Sequence, residues 1–219
     1  MTVIGRKSLK DEVVERVKEY ILKGRYSPGQ KIVIDSLAKD LGVSVTPVRE
    51  ALNYLAAEGL IDVEPHKGFS VKKWNRKEIE DLLLLRMYLE RLAVRLFIER
   101  GYDENISILE QIVKEMSIAA DSENLQRLLQ LNTDFHNVIV MGSKNEELRK
   151  VISALRDKLY RVRVFSLSYP GRIKQSYQEH LQIYKAIKSK DIELSEKLME
   201  EHIKCVRDVL IKRASEGLI

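Results

Sequence analysis

The chain has 219 residues, of which 44% are hydrophobic and 32% charged, and its formal net charge is +5. That length suffices for one large or two ordinary domains, and the weakly basic balance permits nucleic-acid binding without indicating it. A single cysteine, Cys205, excludes an internal disulfide and fits a reducing compartment. No signal-peptide pattern opens the chain, and Arg86 interrupts the apolar run 82–85, so we expect a soluble cytoplasmic protein without membrane segments.

The first seventy residues alternate between helical and extended patterns. Residues 9–23 have apolar side chains at helical spacing, and Gly24 suits the position after the last turn. Turn residues at 26–30 lead into a short predicted strand at 31–34. Apolar and polar residues alternate at 61–64 and again at 69–72 around turn chemistry at 65–68, which predicts a β-hairpin over residues 60–73.

Between the strand and the hairpin lies a predicted helix pair. The amphipathic segment 35–41 stops at Gly42, Ser44 or Thr46 can cap a second helix, and Pro47 then falls in its first turn. Its apolar face consists of Val48, Leu52 and Leu55, and its opposite face of Val45, Arg49 and Asn53. Two helices around a tight glycine turn favour a helix-turn-helix, although alone they fit an ordinary αα-hairpin equally well.

The hairpin decides between these interpretations, because helix, strand, helix, helix and hairpin in this order indicate a winged helix-turn-helix. The predicted wing tip contains His66, Lys67 and Gly68. Lys67 can meet a phosphate, and Gly68 lets the backbone approach a partner closely. We therefore expect DNA binding by the exposed face of the second helix and by the wing.

After Trp74 the sequence is predominantly helical, with one proline in the rest of the chain. The predicted helices lie near 76–99, 104–119, 122–141, 145–167, 171–188 and 191–213. Long amphipathic helices with short connections predict an antiparallel bundle. The predicted fold is thus mainly α, with a winged helix-turn-helix domain at 1–74 and an all-helical domain at 75–219.

Three of the four histidines occur on predicted helix faces that are otherwise mostly apolar. The faces are Leu128, Asn132, His136 and Val140; Ile173, Tyr177, His180, Tyr184 and Ile187; and Leu198, His202, Cys205 and Val209. A buried histidine needs a partner, because an unsatisfied buried polar group costs about 1–3 kcal/mol. One such residue is usually a satisfied core histidine, whereas three with a nearby asparagine favour a metal site.

Spacing supports that interpretation. His180 and His202 lie at similar distances from the turn near Lys190, so antiparallel helices bring them within about 3 Å of the same height at roughly 1.5 Å per residue. Asn132 and His136, four residues apart, share one face. Three imidazoles and one amide oxygen suit Zn²⁺ or Ni²⁺. A hydrolytic role is disfavoured, since Glu179 and Glu201 adjoin their histidines and are expected to point off the metal face.

Arg86 has two interpretations. It forms an intrahelical ion pair with Glu90, or it faces the bundle interior and binds the carboxylate of a ligand in a bidentate contact. A metal ion and an arginine in one cavity would favour a small organic acid.

The residues also resemble a known family along nearly the whole chain. Ser-Pro-Gly-Gln-Lys-Ile at 27–32, Leu-Ala-Lys-Asp-Leu-Gly-Val-Ser-Val-Thr-Pro-Val-Arg-Glu-Ala-Leu at 37–52 and Gly-Leu-Ile at 59–61 resemble the DNA-binding domain of GntR-superfamily bacterial repressors. The second half resembles the FCD ligand-binding domain of the FadR-like branch, through Arg86-Met-Tyr-Leu-Glu90, Asn132-Thr-Asp-Phe-His136, Glu179-His180 and Glu201-His202.

This resemblance implies a homodimeric transcription factor that responds to a metabolite and binds double-stranded operator DNA with inverted half-sites. It implies DNA contacts at Ser44, Thr46, Arg49 and Gly68, and a metal site at Asn132, His136, His180 and His202. Two positions depart from the family pattern. Where the family often has arginine, this chain has Val45, which can touch a thymine methyl group instead of a guanine. Where the family usually has aspartate, this chain has Asn132, and its neutral oxygen reduces the negative charge of the site.

We therefore predict a non-enzymatic regulator whose operator affinity is controlled by a small carboxylate effector, held by Arg86 together with a zinc or nickel ion. Two alternatives stay open. In a metal sensor, the ion alone is the signal. In a metal-dependent hydrolase with an accessory DNA-binding domain, the histidine site turns over a substrate.

Overall fold

The structure is a computed structural model that describes residues 8–22, 25–64, 68–217 and 219, without the side chains of Leu22 and Asp157. The chain divides into two compact units. The first comprises Met1–Trp74 together with Arg213–Ile219, and the second comprises Asn75–Lys212.

In its described residues, the first unit contains three complete helices and a small antiparallel sheet. Its elements are α1 (Leu9–Leu22), β1 (Lys31–Ile32), α2 (Ile34–Leu41), α3 (Val45–Ala57), β2 (Ile61–Glu64) and β3 (Gly68–Val71). β3 is the central strand, with Ile32 opposite Phe69 on one side and Ile61 opposite Val71 on the other. The predicted hairpin is therefore confirmed, and β1 extends it to three strands.

The predicted strand at 31–34 is wrong in its second half. Val33 is the N-cap residue of α2 and Ile34 is the first helical residue. Ile34 joins the face of Leu37 and Ala38, three and four residues on, and both of these are buried. Helical spacing thus outweighs the β-branched run from Ile32 to Ile34 that suggested a longer strand.

The turn between α2 and α3 has the chemistry that the sequence predicts. Gly42 ends α2 in the left-handed conformation, with φ of 67°, which glycine adopts without steric cost. Pro47 lies in the first turn of α3. The α3 side chains Val48, Leu52 and Leu55 are fully buried, so that the helix packs on one face and leaves the opposite face to solvent.

The second unit is built from helices alone in its described residues. They are α4 (Arg76–Leu96), α5 (Tyr102–Asp121), α6 (Leu125–Gly142), α7 (Glu146–Ala154), α8 (Arg156–Leu167) and α9 (Arg172–Lys188), and α10 (Ile192–Ser215) begins there. A capping box starts α4: Asn75 Oδ1 accepts from the Lys77 N–H, and Glu78 accepts from the Asn75 N–H. Within the described residues, we find no helix that is both apolar and long enough to traverse a bilayer.

Two helix boundaries differ from the prediction. The expected break at Gly101 is a π-helical segment, Phe97–Gly101, that joins α4 to α5. Gly101 lies against Gly142, where a Cβ atom would come within 2.0 Å of the Gly142 carbonyl oxygen, so the glycine serves close packing. The single helix predicted at 145–167 is two helices, interrupted at Leu155, which has no glycine or proline beside it to signal the break.

The helices α6, α9 and α10 bury the faces that carry the three histidines. On α6 the whole predicted stripe from Leu128 to Val140 is buried. On α9 and α10 the histidines are buried as predicted, but the faces are rotated. Ser176 is buried while Tyr177 is half-buried, and Val206 is buried while Cys205 is half-buried.

Candidate metal centre

Three histidines from three different helices converge in the second unit. His136 lies on α6, His180 on α9 and His202 on α10, and each is at most 2% exposed. One ligand atom from each lies within 4.8 Å of the others, and the Nε2 atoms of His136 and His180 are 3.3 Å apart. The rings of His180 and His202 are 4.5 Å apart. The structure therefore brings together three side chains that are 22 to 66 residues apart in sequence.

Each of these rings is held from behind through its Nδ1 atom. The acceptors are Glu90 Oε2 for His136 at 2.6 Å, Glu179 Oε2 for His202 at 2.7 Å and the Ser176 carbonyl oxygen for His180 at 2.7 Å. An acceptor at Nδ1 fixes the tautomer that carries its proton there, which leaves the lone pair on Nε2. The three Nε2 atoms are thus the available electron-pair donors.

The spacing of the donors fits a divalent ion. Zinc–nitrogen bonds of about 2.0–2.1 Å at tetrahedral angles place two ligand nitrogens roughly 3.3 Å apart. The separation of the Nε2 atoms of His136 and His180 has this value. Neutral imidazoles are the ligands that zinc, nickel and copper accept, so the cluster suits a borderline transition metal.

Asn132 is a candidate fourth ligand. Its Nδ2 lies 3.3 Å from His180 Nε2, and its Oδ1 is buried without a hydrogen-bond partner among the described residues. The two ends of an amide are nearly isosteric, so a half-turn about the last side-chain bond exchanges them. That turn places Oδ1 beside the histidine nitrogens, as an oxygen ligand requires.

Burial keeps the histidines neutral. It lowers the pKa of His136 to about 3, against the opposing effect of Glu90, and lowers the pKa of His180 well below its ordinary value. The pKa of His202 is also lowered by burial, although Glu179 opposes the shift. Because metal ligands must be deprotonated, all three rings are available at neutral pH.

Arg86 forms the ion pair of its first sequence-based interpretation and has the buried position that the second one requires. Its Nε–H donates to Glu90 Oε1 at 2.9 Å, and its Nη2 lies 3.2 Å from His136 Nε2. The side chain is 2% exposed and therefore faces the bundle interior. Burial by itself would raise the pKa of Glu90, but His136 and the Arg86 guanidinium hold it well below its ordinary value.

A narrow cavity adjoins the cluster and includes residues that the sequence analysis missed. Arg163 and Ser166 from α8 and Arg172 and Ser176 from α9 line it beside Arg86. All of these side chains are buried. Four-residue spacing of Arg172, Ser176 and His180 is a signal that could have found two of them, had the face of α9 been placed correctly.

Glu179 also differs from expectation. It lies off the metal face, as predicted, but it connects two functional side chains behind that face. Its two oxygens accept from Nη1 and Nη2 of Arg172 at 2.6 and 3.0 Å, and Oε2 also accepts from His202. Burial opposes the shift, but these contacts hold the pKa of Glu179 well below its ordinary value. Glu179 thus orients a candidate ligand.

In the first unit, the predicted DNA contacts lie around the start of α3. Ser44 is the N-cap residue and makes no side-chain capping bond, so its hydroxyl is left for another partner. Thr46 and Arg49 are exposed, and Val45 is half-buried. Gly68 begins β3 with φ of 90°. The predicted contacts His66 and Lys67 lie outside the described residues.

A helix-turn-helix with a small sheet, combined with a helical bundle that holds a buried polar cluster, defines the class of two-domain transcriptional regulators. Family comparison agrees: residues 9–71 match the bacterial regulatory proteins of the gntR family, and residues 81–204 match the FCD domain. The chain belongs to the GntR family of DNA-binding transcriptional regulators and has an FCD domain.

Individual relatives are regulators as well. The chain is 30% identical to the uncharacterised HTH-type transcriptional regulator YdhC of Bacillus subtilis, over 85% of this chain and 84% of that protein. It is 34% identical to the Nta operon transcriptional regulator of Aminobacter aminovorans, over 72% and 73% of the two chains. Both relatives are transcriptional regulators by their descriptions.

Solved structures share the fold. The structure of E. coli McbR/YncC is similar with a TM-score of 0.64 at 23% identity, covering 95% of this chain and all of that one. The metal-free FCD domain of TM0439, a transcriptional regulator by its description, is similar with a TM-score of 0.59 at 20% identity, covering 66% of this chain and 99% of that one.

Proposed function

We propose that this regulator binds its operator through the first unit and that a small organic acid, bound together with a divalent metal ion in the helical unit, controls operator affinity. The observation that carries the proposal is the convergence of three buried histidine rings, each fixed through Nδ1. We assign DNA binding to residues 1–74 and metal and effector binding to residues 75–219. A DNA-binding regulator would act in the cytoplasm.

The operator contacts in this proposal come from the exposed start of α3 and from the wing. They are Ser44, Val45, Thr46, Arg49, His66, Lys67 and Gly68. Arg49 is exposed and forms no ion pair among the described residues, so its guanidinium is free to bind a guanine edge or a phosphate. The hydroxyls of Ser44 and Thr46, near the helix N-terminus, suit phosphate oxygens.

The metal ligands in this proposal are Asn132, His136, His180 and His202, with zinc or nickel as the ion. When bound, the ion supplies a Lewis acid to which a carboxylate oxygen of the effector can attach. Arg86 then offers Nη2 to the same carboxylate, because that nitrogen already points to the lone-pair side of His136. Glu90 keeps the Arg86 guanidinium in this direction.

Homodimer formation is part of the proposal, because an operator with two inverted half-sites calls for a two-fold symmetric protein. One face of α4 leaves Leu84, Leu85, Tyr88 and Leu92 exposed, at 54%, 45%, 60% and 41%. Such a group of large apolar side chains favours protein association. A double change of Leu84→Glu and Tyr88→Glu should shift the protein to monomer in sedimentation, whereas Ile118→Glu, at a 70% exposed site on α5, should not.

The test uses the full-length chain in selection of genomic DNA fragments at moderate salt, with zinc and then with a strong chelator. Recovery of an inverted repeat establishes the regulator. A panel of small organic acids is then titrated against that operator, with His180→Ala as the metal-site variant. We expect one class of acid to change operator affinity by 5- to 150-fold or so in the zinc-loaded protein, and not in the variant.

Two other outcomes would overturn parts of this proposal. If operator affinity follows zinc concentration without any acid, the protein is a metal sensor. If the zinc-loaded chain turns over esters or phosphoesters and His136→Ala loses that turnover, the histidine cluster is catalytic.

A further inference from the structure

Three arginines are buried around the cavity beside the histidine cluster, and two of them have carboxylate partners. Arg86 pairs with Glu90, and Arg172 pairs with Glu179 through two hydrogen bonds. The third, Arg163 on α8, is 6% exposed and forms no ion pair among the described residues. Its Nε is buried without an acceptor. A buried guanidinium without a partner anion is costly and points to an anion that comes from outside the chain.

Two neighbouring donors share this condition. Ser166, three residues after Arg163 and so on the same face of α8, has a buried hydroxyl without a partner. Arg172 Nε is buried without an acceptor as well, although its other two nitrogens hold Glu179. All three residues line the same cavity. Three converging donors from two helices form a second polar group that is distinct from the metal ligands.

The net charge of the side chains around the cavity also favours an anionic ligand. Three arginines and two carboxylates leave one positive charge, and a divalent ion at neutral histidines would raise this to three. A single carboxylate leaves two of those charges uncompensated, whereas a ligand with two acid groups leaves one. Burial, followed by the proximity of Arg86, lowers the pKa of Arg163 to about 9, so the side chain is still cationic at neutral pH.

We infer that the effector is a compact dianion, and that its second acid group binds Arg163, Ser166 and Arg172 Nε while its first group binds Arg86 and the metal ion. This inference rests on the proposed function, because it assumes that an organic acid occupies the cavity. The chemistry that Arg163 and Ser166 recognise is an acid group with at least two free oxygens, as in a dicarboxylate or a phosphorylated carboxylic acid.

The test compares acids of one and two charges on zinc-loaded, full-length protein by titration calorimetry. The probes are acetate and propionate, malonate and succinate, and phosphoglycolate. We expect at least one doubly charged acid to bind at least about tenfold more tightly than either monocarboxylate, as a charge-assisted hydrogen-bonded pair permits. Malonate and succinate against phosphoglycolate decide whether the second group is carboxylate or phosphate.

Variants then locate the second group. Arg163→Gln should weaken the doubly charged acid by at least about tenfold and change monocarboxylate binding by less than about threefold. Ser166→Ala should weaken the same acid severalfold. Lys158→Gln removes a charge from the exposed side of the same helix and should leave both affinities unchanged. Zinc stoichiometry and helical circular dichroism show that each variant is folded with its metal site intact.

Equal loss of both classes of acid in Arg163→Gln, or no loss of either, would overturn the inference while the acid-responsive regulator stands. Equal affinity of the wild-type protein for acids of one and two charges would do the same. If no acid of either class binds the zinc-loaded protein, the acid-responsive part of the proposed function fails together with the inference.

Discussion

The two units place their polar candidate functional residues in opposite environments. In the first unit, Ser44, Thr46 and Arg49 stand in solvent around the start of α3, and the core beneath them is apolar. In the second unit, the polar side chains are inside the bundle, where each needs a partner from another helix turn or another helix. An exposed candidate contact such as Arg49 can therefore change without disturbing the fold, whereas a buried group such as Glu90 is tied to others.

The sharpest test of this contrast compares two ion pairs of equal spacing on α4. Glu90→Gln leaves the Arg86 charge buried without its anion, so the free energy of unfolding should fall by about 3–5 kcal/mol. Glu80→Gln breaks the exposed pair with Arg76 and should cost at most about 1 kcal/mol. Denaturant unfolding of both variants measures the difference. If stability falls but acid binding persists in Glu90→Gln, the arginine is structural and does not hold the effector.

Metal removal is the next largest effect. Zinc at about 100 times its dissociation constant should stabilise the wild-type protein by roughly 2.7 kcal/mol, because it binds only the folded site. His180→Ala should abolish this stabilisation and leave a folded helical protein. His66→Ala, which changes the one histidine outside the bundle, should keep the full zinc stoichiometry. Thermal unfolding with zinc and with chelator measures both, and stoichiometric zinc in His180→Ala would exclude that residue as a ligand.

Substitutions at the exposed residues of the first unit should change DNA binding and leave stability unchanged. Arg49→Ala should lose about 1–3 kcal/mol of operator binding if the guanidinium reads a base, with no measurable change in unfolding. Arg49→Lys retains the charge but not the bidentate geometry, so it should keep non-specific affinity and lose sequence preference. Gel-shift titrations against operator and scrambled DNA separate these effects. Unchanged operator affinity in Arg49→Ala would remove the residue from the interface.

Acid sensitivity tests the buried histidines through stability. In the folded protein, burial lowers the pKa of His136 from its ordinary value of 6.5 to about 3. Below pH 6.5, the histidine is therefore protonated in the unfolded chain but stays neutral in the folded protein. Stability that is present above pH 6.5 is therefore lost as the pH falls toward 3, by at most about 1.4 kcal/mol per pH unit for this residue. His136→Gln should have a shallower slope between pH 6 and pH 4 in chelator. Parallel slopes would show that the ring is solvated.

The sequence predicted those parts of the fold that depend on local turn signals and alternation. Gly42 and Pro47 specify the turn between α2 and α3, and the alternation around residues 65–68 specifies the hairpin. The break at Leu155 and the π-helical segment at Phe97 were missed, because each depends on packing between helices. The close packing of Gly101 against Gly142 cannot be predicted from local periodicity.

The sequence predicted the histidines of the candidate site but not the charged side chains that surround them. The histidines stood out because a titratable ring on an apolar stripe is conspicuous in one helix alone. Glu179 and Arg163 gave no such signal, since charged residues at the rim of a helical stripe are ordinary on solvent-facing surfaces. Arg172 gave one only through its spacing from His180. Their role depends on which neighbouring helix covers them, and a rotation of α9 by one residue decides whether Ser176 or Tyr177 is inside.

The neutral side chain of Asn132 has a consequence for how signals are combined. Neither it nor the three histidines contributes negative charge, and the nearby carboxylates Glu90 and Glu179 are already matched to Arg86 and Arg172. A divalent ion held by these ligands keeps its full charge until an anion joins it, so ion and acid should each raise the affinity of the other by the same factor. The helical unit would then act as a coincidence detector, reporting the acid only in cells with enough metal.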